Sequence, residues 1–546
     1  MKRVLLSFVA GVLMLGLSPV AQAQGTSKPI LVVSISGFQE LKDDITYLAK
    51  ATDNGDKTAP FDAVVDGFTT GLDKQKSIGA IVTMDGDQPS VVGFIPVKNL
   101  NQLLGSLAAV IGPTKDAGNG LKSVGGGTAF IKEQDGYAFL AQKASQLQNL
   151  PDPVKALGTL PKQYDIAIEA NIQNIPKEYR TMGLGFMKQG LEAQLNTKQD
   201  NETDAQFEFR KQMAATQIKQ IERFMDEGDR ITFGWSVDRT GKKTFLDFVI
   251  TAVRGSKLAQ QLATLKESTT KFSGLLKGDA PIAMSMAIEN KDPEEIDNAV
   301  AQIRSYKETL LDMIEDSDEF EDDDQKKLVK GWASQAMDIV QKTVEAGRFD
   351  AALAFTSPPG STSTLLAGVH TVDGKGLEKI AMEVLKMAEK EQEDFPKVQY
   401  NVTKHGAVNL HALAIPIPQE DAENFRKIFG DKPMLYLGFS PDTVWLAAGT
   451  GSLDPLKVAI DASGERKPTT PMMMTASLGS IMRLAAEVNK ENPALMPLAN
   501  AIQPGSDHVR MLVEAIDSGE RIRFEVEEGV LKLIGMGAKL QKDLEQ

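Results

Sequence analysis

The stretch IGAIVTMDGDQPSVVGFIPV, residues 78–97, places two apolar runs on either side of Asp85-Gly86. Valine, isoleucine and phenylalanine fill both runs, and Asp-Gly is a dipeptide that favours a two-residue hairpin turn. The stretch therefore predicts two antiparallel strands. Hairpins of this kind, rather than strand–helix–strand crossovers, indicate the type of sheet the chain forms.

Three further stretches have the same layout around turn dipeptides or tripeptides. Their turns are Thr-Gly, Pro-Pro-Gly and Ser-Gly, all typical of hairpins. The stretches are RITFGWSVDRTGKKTFLDFVITAV (230–253), FDAALAFTSPPGSTSTLLAGVHTV (349–372) and VRMLVEAIDSGERIRFEV (509–526).

Four short apolar strands also resemble one another, and each is followed by a helical pattern. Apolar residues there recur at three- and four-residue spacing, as at Ile296, Val300 and Ile303, which is typical of an amphipathic helix. The repeating module is strand, helix, helix, hairpin and usually a further helix. The four strands are PILVVSIS (29–36), YDIAIEANI (164–172), PIAMSMAI (281–288) and PMMMTASL (471–478).

A constant offset of 306 residues (445 − 139) relates the end of the first module to the end of the third. An ungapped register over some forty residues favours an internal duplication. The alternative is that any two α+β chains share such patterns. The matched pairs are Phe139 with Trp445, Leu147 with Leu453, Gly158 with Gly464, Ile166 with Met472 and Ile172 with Leu478.

These patterns predict an α+β fold of mostly antiparallel sheets with helices on one face. We expect four strand-helix-helix-hairpin modules arranged as two pseudo-symmetric halves. The predicted segments are a signal peptide at 1–23, a first half at 24–280 (modules 30–164 and 165–280) and a second half at 281–546 (modules 281–470 and 471–546).

The N-terminus reads as a cleaved secretory signal. Met1-Lys2-Arg3 precedes the apolar run VLLSFVAGVLMLGL and the small-residue motif Ala21-Gln22-Ala23. We expect cleavage before Gln24 and an exported protein, periplasmic or extracellular, with no transmembrane segment after cleavage. A membrane anchor is the alternative, but it needs about 20 apolar residues.

Charge and composition exclude several classes of function. The net charge of −14, with Lys and Arg scattered, argues against nucleic acid as a partner. The absence of cysteine from the sequence excludes a thiol nucleophile, an iron–sulfur cluster and a cysteine-ligated zinc. A chain of 546 residues can bury ample cores without disulfides.

Glycine-rich stretches do not match a phosphate-binding loop. Gly125-Gly126-Gly127 has neither of the usual motif spacings and leads into a predicted strand, while Asp135-Gly136 predicts the next hairpin turn. GKGLEK (374–379) and GTGSLD (449–454) are interpreted as helix starts.

Other candidate chemistry is also weak. The four histidines, His370, His405, His411 and His508, have no metal-binding motif, and His411 would need a nearby carboxylate. The acidic run 315–327 fails as an EF-hand and predicts a connector between helices. Met284 and Met286 are interpreted as core filling. We therefore predict no catalytic, cofactor-binding or metal-ligating residue and no cofactor.

In layout the chain resembles uncharacterised secreted proteins of planctomycete-type bacteria. The residues that carry this resemblance are PIAMSMAIENKDPEEIDNAV (281–300) and the hairpin DAALAFT…STLLAGV (350–369). The resemblance implies an exported protein of repeated strand–helix–hairpin modules. It assigns no functional residue.

The expected function is a non-enzymatic extracytoplasmic binding or scaffold protein. One version is a carrier of a hydrophobic ligand, which requires a sheet face that is not packed on both sides. The expected partner is an unknown protein or a small hydrophobic ligand. A carboxylate-based hydrolase, which would need two close, buried acids, and a self-assembling cell-envelope component are the alternatives.

Overall fold

The computed structural model describes residues 28–86, 88–195, 197–198, 202–276, 280–317, 323–358, 360–489, 492, 495–502 and 505–544. The expected signal peptide at 1–23 lies outside these residues. Helix makes up 44% and strand 31% of the structure, and the strands pair antiparallel, so the α+β class is confirmed.

The strands are β1 Leu31–Gly37, β2 Ser77–Asp85, β3 Gln88–Pro96, β4 Lys115–Gly118, β5 Leu121–Val124, β6 Ala129–Gln134, β7 Tyr137–Ala141, β8 Ile166–Asn171, β9 Gly228–Asp238, β10 Lys243–Ala252, β11 Thr269–Thr270, β12 Ile282–Glu289, β13 Arg348–Thr356, β14 Thr364–His370, β15 Gln399–His405, β16 Val408–Ala414, β17 Met434–Phe439, β18 Thr443–Gly449, β19 Lys467–Pro468, β20 Met472–Ser477, β21 His508–Ile516 and β22 Gly519–Glu527.

The α-helices are α1 Phe38–Ala51, α2 Thr58–Phe68, α3 Leu100–Ile111, α4 Pro153–Leu157, α5 Leu160–Gln163, α6 Lys177–Leu195, α7 Asp204–Glu227, α8 Lys257–Thr264, α9 Pro293–Glu315, α10 Asp323–Glu345, α11 Gly374–Glu391, α12 Ala422–Phe429, α13 Leu453–Asp461, α14 Leu478–Val488, α15 Leu495–Asn500 and α16 Glu528–Leu544.

The chain divides into two compact units. Unit 1 comprises Met1–Tyr179, Gly228–Thr251 and Phe524–Gln546, and unit 2 comprises Arg180–Glu227 and Ala252–Arg523. The sequence-based boundary at 280/281 is a different kind of division, based on repeats, and stays a prediction.

In the sheet of unit 1, nine described strands pair antiparallel in the order β9-β8-β1-β2-β3-β7-β6-β5-β4, and β10 pairs with the free side of β9. One face of this sheet packs into a core around Phe94, which is fully buried, and Leu147, which is 1% exposed. The rings of Tyr137 and Phe139 lie 6.3 and 6.2 Å from the Phe94 ring. Aromatic rings at this spacing stabilise a core beyond their buried area.

Unit 2 contains an antiparallel sheet whose nine described strands pair in the order β21-β20-β12-β13-β14-β18-β17-β16-β15. Its core includes Leu410 and Leu456, both fully buried, and Trp445, whose ring lies 5.0 Å from that of Phe272. The segment around Phe272 and helix α13 cover this side of the sheet, because Phe272, Leu456 and Ala459 belong to the same core.

The two sheets have the same strand order when their strands are matched in chain order: β1, β2 and β3 with β12, β13 and β14, the group β4–β7 with β15–β18, and β8 and β9 with β20 and β21. The 306-residue offset pairs Phe139 of β7 with Trp445 of β18, and these side chains are 2% and 3% exposed.

Local turn chemistry explains the hairpins. Strand β2 ends at Asp85, which pairs with Gln88 of β3, and Gly86, with a positive φ, opens the turn between them. Asp135 and Gly136, which both have positive φ angles, join β6 to β7. Paired positive φ angles match the right-handed twist of the strands. All three glycines of the 125–127 stretch also have positive φ and connect β5 to β6. They lead into β6, the strand expected after them, and the strand before them, β5, makes this connection a hairpin turn.

Helix α9 illustrates how the sequence starts a helix. The Asp292 side chain accepts a hydrogen bond from the Glu294 backbone N–H at 3.0 Å, and Pro293 occupies the first helical position. Glu294 and Glu295 add negative charge to the first turn, where the helix dipole stabilises it. Helix α9 ends at Glu315 and α10 begins at Asp323, as the connector interpretation expects, although residues 318–322 lie outside the described chain.

Candidate functional site

The second face of the unit 2 sheet is apolar but only partly covered. On β12, Ala283, Ser285 and Ala287 are buried, whereas the alternate residue Met284 is 38% exposed. Met284 pairs with Met474, which is 39% exposed, and Met474 pairs with Met511. Directly paired residues of antiparallel strands lie on the same side of a sheet.

We call this surface the methionine face. It continues through Leu353, the partner of Met284 on β13, and through the second cross-strand pair, Met286 with Met472. The core-filling interpretation is wrong for Met284, because its side chain is exposed. The methionine face consists of Met284, Met286, Leu353, Met472, Met474 and Met511.

Unit 1 has a comparable surface on strands β1, β8 and β9. Val33 pairs with Ile168, which is 44% exposed, and Ile168 pairs with Phe233, which is 58% exposed. The alternate residues Val32, Ser34 and Ala167 are buried. We call this surface the isoleucine face; it consists of Val33, Ile35, Ile166, Ile168 and Phe233.

Both faces depart from the usual pattern of an antiparallel sheet. A sheet with one solvated face normally alternates apolar and polar residues, so that the polar side chains face water. Here burial alternates along the strands, but polarity does not. Exposed apolar surface of this kind marks a binding site for a ligand or partner.

A cleft of about 520 Å³ lies in unit 2 beside α11. Helix α11 contributes side chains at intervals of four, three and four residues, which places them on one side of the helix. The cleft is lined by Lys375, Glu378, Lys379, Met382, Lys386, Tyr400, Asn401 and His411.

A buried histidine is held in one orientation at the base of this cleft. His411 is 2% exposed, and its Nδ1 accepts a hydrogen bond from the Asn401 backbone N–H at 3.2 Å. The ring proton is therefore on Nε2, which donates to Glu378 Oε1 at 3.0 Å. The carboxylate that His411 would need for metal binding is thus present, on a helix 33 residues away in the chain.

The backbone at Asn401 is adapted to this contact. Asn401 has a φ of +54°, and the pairing of β15 with β16 is irregular between Gln399 and Thr403. An asparagine tolerates this left-handed conformation better than most residues, and such bulges often redirect groups towards a site. The Asn401 side chain also accepts a hydrogen bond from Asn409 Nδ2 at 2.6 Å, and Asn409 donates to Glu378 as well.

Tyr400 is fixed on the other side of the cleft. Its hydroxyl donates to Glu389 Oε2 at 2.7 Å, and the Val398 backbone N–H donates to Glu389 Oε1 at 2.8 Å. These two hydrogen bonds lower the pKa of Glu389. Burial, reinforced by the Glu389 carboxylate, raises the pKa of Tyr400 to about 12, so the phenol stays protonated at neutral pH.

The cleft has a positive lining in an acidic protein. Three lysine ammonium groups face one carboxylate, that of Glu378, among the lining residues, whereas the whole chain has a net charge of −14. The lining contains no serine, threonine or aspartate among the described residues, and Glu378 already accepts a hydrogen bond from His411. The arrangement therefore suits binding of an anion better than nucleophilic catalysis.

Unit 1 contains a buried pair of carboxyl groups. Asp44 of α1 is 1% exposed and Asp165, which precedes β8, is 4% exposed. Burial first, and the neighbouring Asp165 second, raise the pKa of Asp44 to about 7, while Arg239, whose Nε lies 2.9 Å from Asp44 Oδ1, opposes the shift. Asp165 Oδ2 accepts the Val237 backbone N–H at 2.7 Å.

This carboxyl pair has the pKa pattern expected of a hydrolase, but a substrate cannot reach it directly. Two close acids with one raised pKa are what general acid–base catalysis requires. Both side chains are almost completely sequestered from solvent, so a substrate would have to displace covering groups to reach them.

The other histidines lie apart from the cleft. His405 Nε2 lies 2.7 Å from Asp461 Oδ1, and His370 Nδ1 lies 2.8 Å from the Asp442 backbone carbonyl. His508 is buried and adjoins Asp507. Burial lowers the pKa of His370.

The remaining glycine motifs are helix starts, as we expected. Gly374 is the first residue of α11, and the Asp373 side chain caps it by accepting the Gly376 N–H at 2.8 Å. Helix α13 begins at Leu453, directly after the 449–452 stretch.

A scan against protein-family models and searches of curated proteins and solved structures returned no match to this chain. In the described part of the chain, every helix is too short or too polar to cross a bilayer.

Sequence reasoning missed the cleft because its parts come from separate elements. The spacing of Lys375, Lys379, Met382 and Lys386 was a usable signal, since it places three cations and a methionine on one side of α11.

Proposed function

We propose that the protein is an exported, non-enzymatic binding protein that carries a hydrophobic ligand on its open sheet faces. The observation that carries this proposal is the exposure of Met284 and Met474, which lie side by side on an apolar sheet face. Methionine side chains are flexible and polarizable, and they adapt to ligands of varied shape.

The matching strand orders support an internal duplication. In this proposal the predicted halves, 24–280 and 281–546, descend from one ancestral segment, and the four repeat modules are its parts. The pairing of Phe139 with Trp445 in equivalent strands supports it, as do the positive φ angles of Gly158 and Gly464. A duplication would also account for an open face in each unit.

A double substitution tests the carrier function. Met284→Gln with Met474→Gln preserves side-chain length but makes the methionine face polar. We expect the affinity for Nile red, a neutral hydrophobic dye, to fall about tenfold, because less apolar area leaves water on binding. Fluorescence titration measures the dissociation constant.

The matched control is Met313→Gln with Met496→Gln, since these methionines are 52% and 41% exposed on α9 and α15. The control is expected to bind the dye as the wild type does. Equal binding by both double variants would refute the carrier function. Concentration-dependent dimerisation that only Met284→Gln/Met474→Gln abolishes would also refute it, by making the face an interface between copies.

The hydrolase alternative has one supporting observation, the raised pKa of Asp44. It would require hydrolysis that Asp44→Asn abolishes while the fold is retained.

A further inference from the structure

The methionine face leads, strand by strand, to the lysine-lined cleft. Met284 pairs with Leu353 and Leu353 with Ala367. Ala367 pairs with Leu446, Leu446 with Leu437, and Leu437 with His411. Because directly paired residues lie on one side of a sheet, His411 and Met284 belong to the same face.

The residues between the two ends are apolar and incompletely covered. Leu353, Ala367, Leu446 and Leu437 all retain part of their solvent exposure, while the alternate residues Ala352, Ala447 and Gly438 are buried. From His411 to Met284 there are five strand spacings, or about 24 Å at roughly 4.8 Å each. That distance is of the order of an extended long acyl chain.

The charged end of this path lies under α11. Glu378 of α11 accepts a hydrogen bond from His411 Nε2, so the helix lies over the same face of the sheet as His411. Asn409 and His411 both donate to the Glu378 carboxylate. Lys375, Lys379 and Lys386 are exposed and line the cleft, and Lys379 also lies 4.0 Å from Glu383 of the same helix.

We propose that the ligand is a single-chain amphiphile with an anionic head group, carboxylate or phosphate, whose head lies at these three lysines and whose chain lies along the row towards the methionine face. This inference rests on the proposed carrier function and names its ligand class. A neutral hydrophobic ligand would leave Lys375 and Lys386 without a described ion pair at the end of the path, and Lys379 with only its 4.0 Å contact to Glu383. An anionic head group pairs with all three.

Three probes with the same chain separate the head groups: palmitate, hexadecyl phosphate and hexadecanol, each used below the concentration at which it forms micelles. We expect the wild-type protein to bind both anions at least about tenfold more tightly than the alcohol. The preference should shrink as salt rises, because the lysines are exposed. Stronger binding of one anion identifies the head group.

The triple variant Lys375→Gln/Lys379→Gln/Lys386→Gln should lose this preference by about tenfold while it binds hexadecanol as before. The matched control, Lys327→Gln/Lys330→Gln/Lys342→Gln on α10, changes the net charge equally and should retain the preference. If both triple variants lose the preference for the anions equally, the preference depends only on net charge and the proposal is wrong.

The outcomes distinguish the carrier function from the anionic head group. If all three probes bind equally well to the wild type, and Met284→Gln/Met474→Gln weakens them all, the carrier function stands and the anionic head group is wrong. If none of the probes binds, the carrier function itself is wrong.

Discussion

Asp44 is a buried residue whose ionisation affects the stability of unit 1. Its carboxyl group is buried beside that of Asp165, and Arg239 compensates only in part, so the charged form is disfavoured. The carboxylates of Glu40 and Asp43 on the same helix face this region as well: Glu40 adds to the upward shift, and Asp43 lies 3.7 Å from Arg239. The folded protein therefore holds a proton that the unfolded chain releases at lower pH.

The sign of the pH dependence follows from this difference. The pKa of Asp44 is about 7 in the folded state against a usual value of 3.8, so between these values the folded state binds more protons. The free energy of unfolding then falls as pH rises through this window, by at most about 4 kcal/mol from this group. Asp44→Asn should flatten the decline, as measured by urea unfolding at pH 4 to 8.

The exposed neighbour provides the control for this experiment. Asp43→Asn should retain the wild-type slope, because the Asp43 side chain is 44% exposed. A wild-type slope in Asp44→Asn would show that another group causes the pH dependence.

At the scale of elements, helix α16 packs closely against the end of α1. A Cβ atom on Gly535 would lie 2.1 Å from the Thr52 backbone carbonyl oxygen, whereas a Cβ on Gly537 would have no neighbour within 4 Å. The close approach of α16 to Thr52 therefore requires a glycine at position 535 but not at position 537.

Two alanine substitutions should therefore have opposite effects. Gly535→Ala should lower the free energy of unfolding by about 1–3 kcal/mol, because the helix must move away from Thr52. Gly537→Ala should raise it by up to about 1 kcal/mol, since alanine favours the helix. Thermal unfolding measures both, and a gain in stability for Gly535→Ala would contradict the packing.

Elements were predictable where their signals are local. Asp135-Gly136 forms a turn through its own backbone preferences, and Gly86 opens a turn directly after Asp85, so both hairpins could be predicted from the sequence. The contact of Glu378 with His411 could not, because it depends on the β15–β16 bulge and on where α11 packs. The open faces could not be predicted either, because the sequence does not show whether another element covers an apolar strand residue.

At the scale of the whole molecule, the largest described core of unit 1 and that of unit 2 share no residue. One contains Phe139 and the other contains Trp445, and their members do not overlap. Mutations in independent sites usually add in free energy.

Substitutions in the two cores should accordingly be additive. Phe139→Leu and Trp445→Phe should each cost about 1–2 kcal/mol, and the double variant should match the sum within about 0.5 kcal/mol. Urea unfolding midpoints, with a constant slope, provide the measurement. A deviation of more than about 1 kcal/mol would indicate that the cores are coupled.

The hydrogen bond from the Tyr47 hydroxyl to Glu528 Oε2 joins groups 481 residues apart in the chain, and Lys539 adds an ion pair to Asp53. The ribosome releases the chain from its N-terminus, so α1 emerges long before α16 exists. During that interval the Thr52 end of α1 stays uncovered, because Gly535 of α16 is what approaches it. Synthesis order thus makes α16 the step that completes unit 1, and contacts of such separation slow folding.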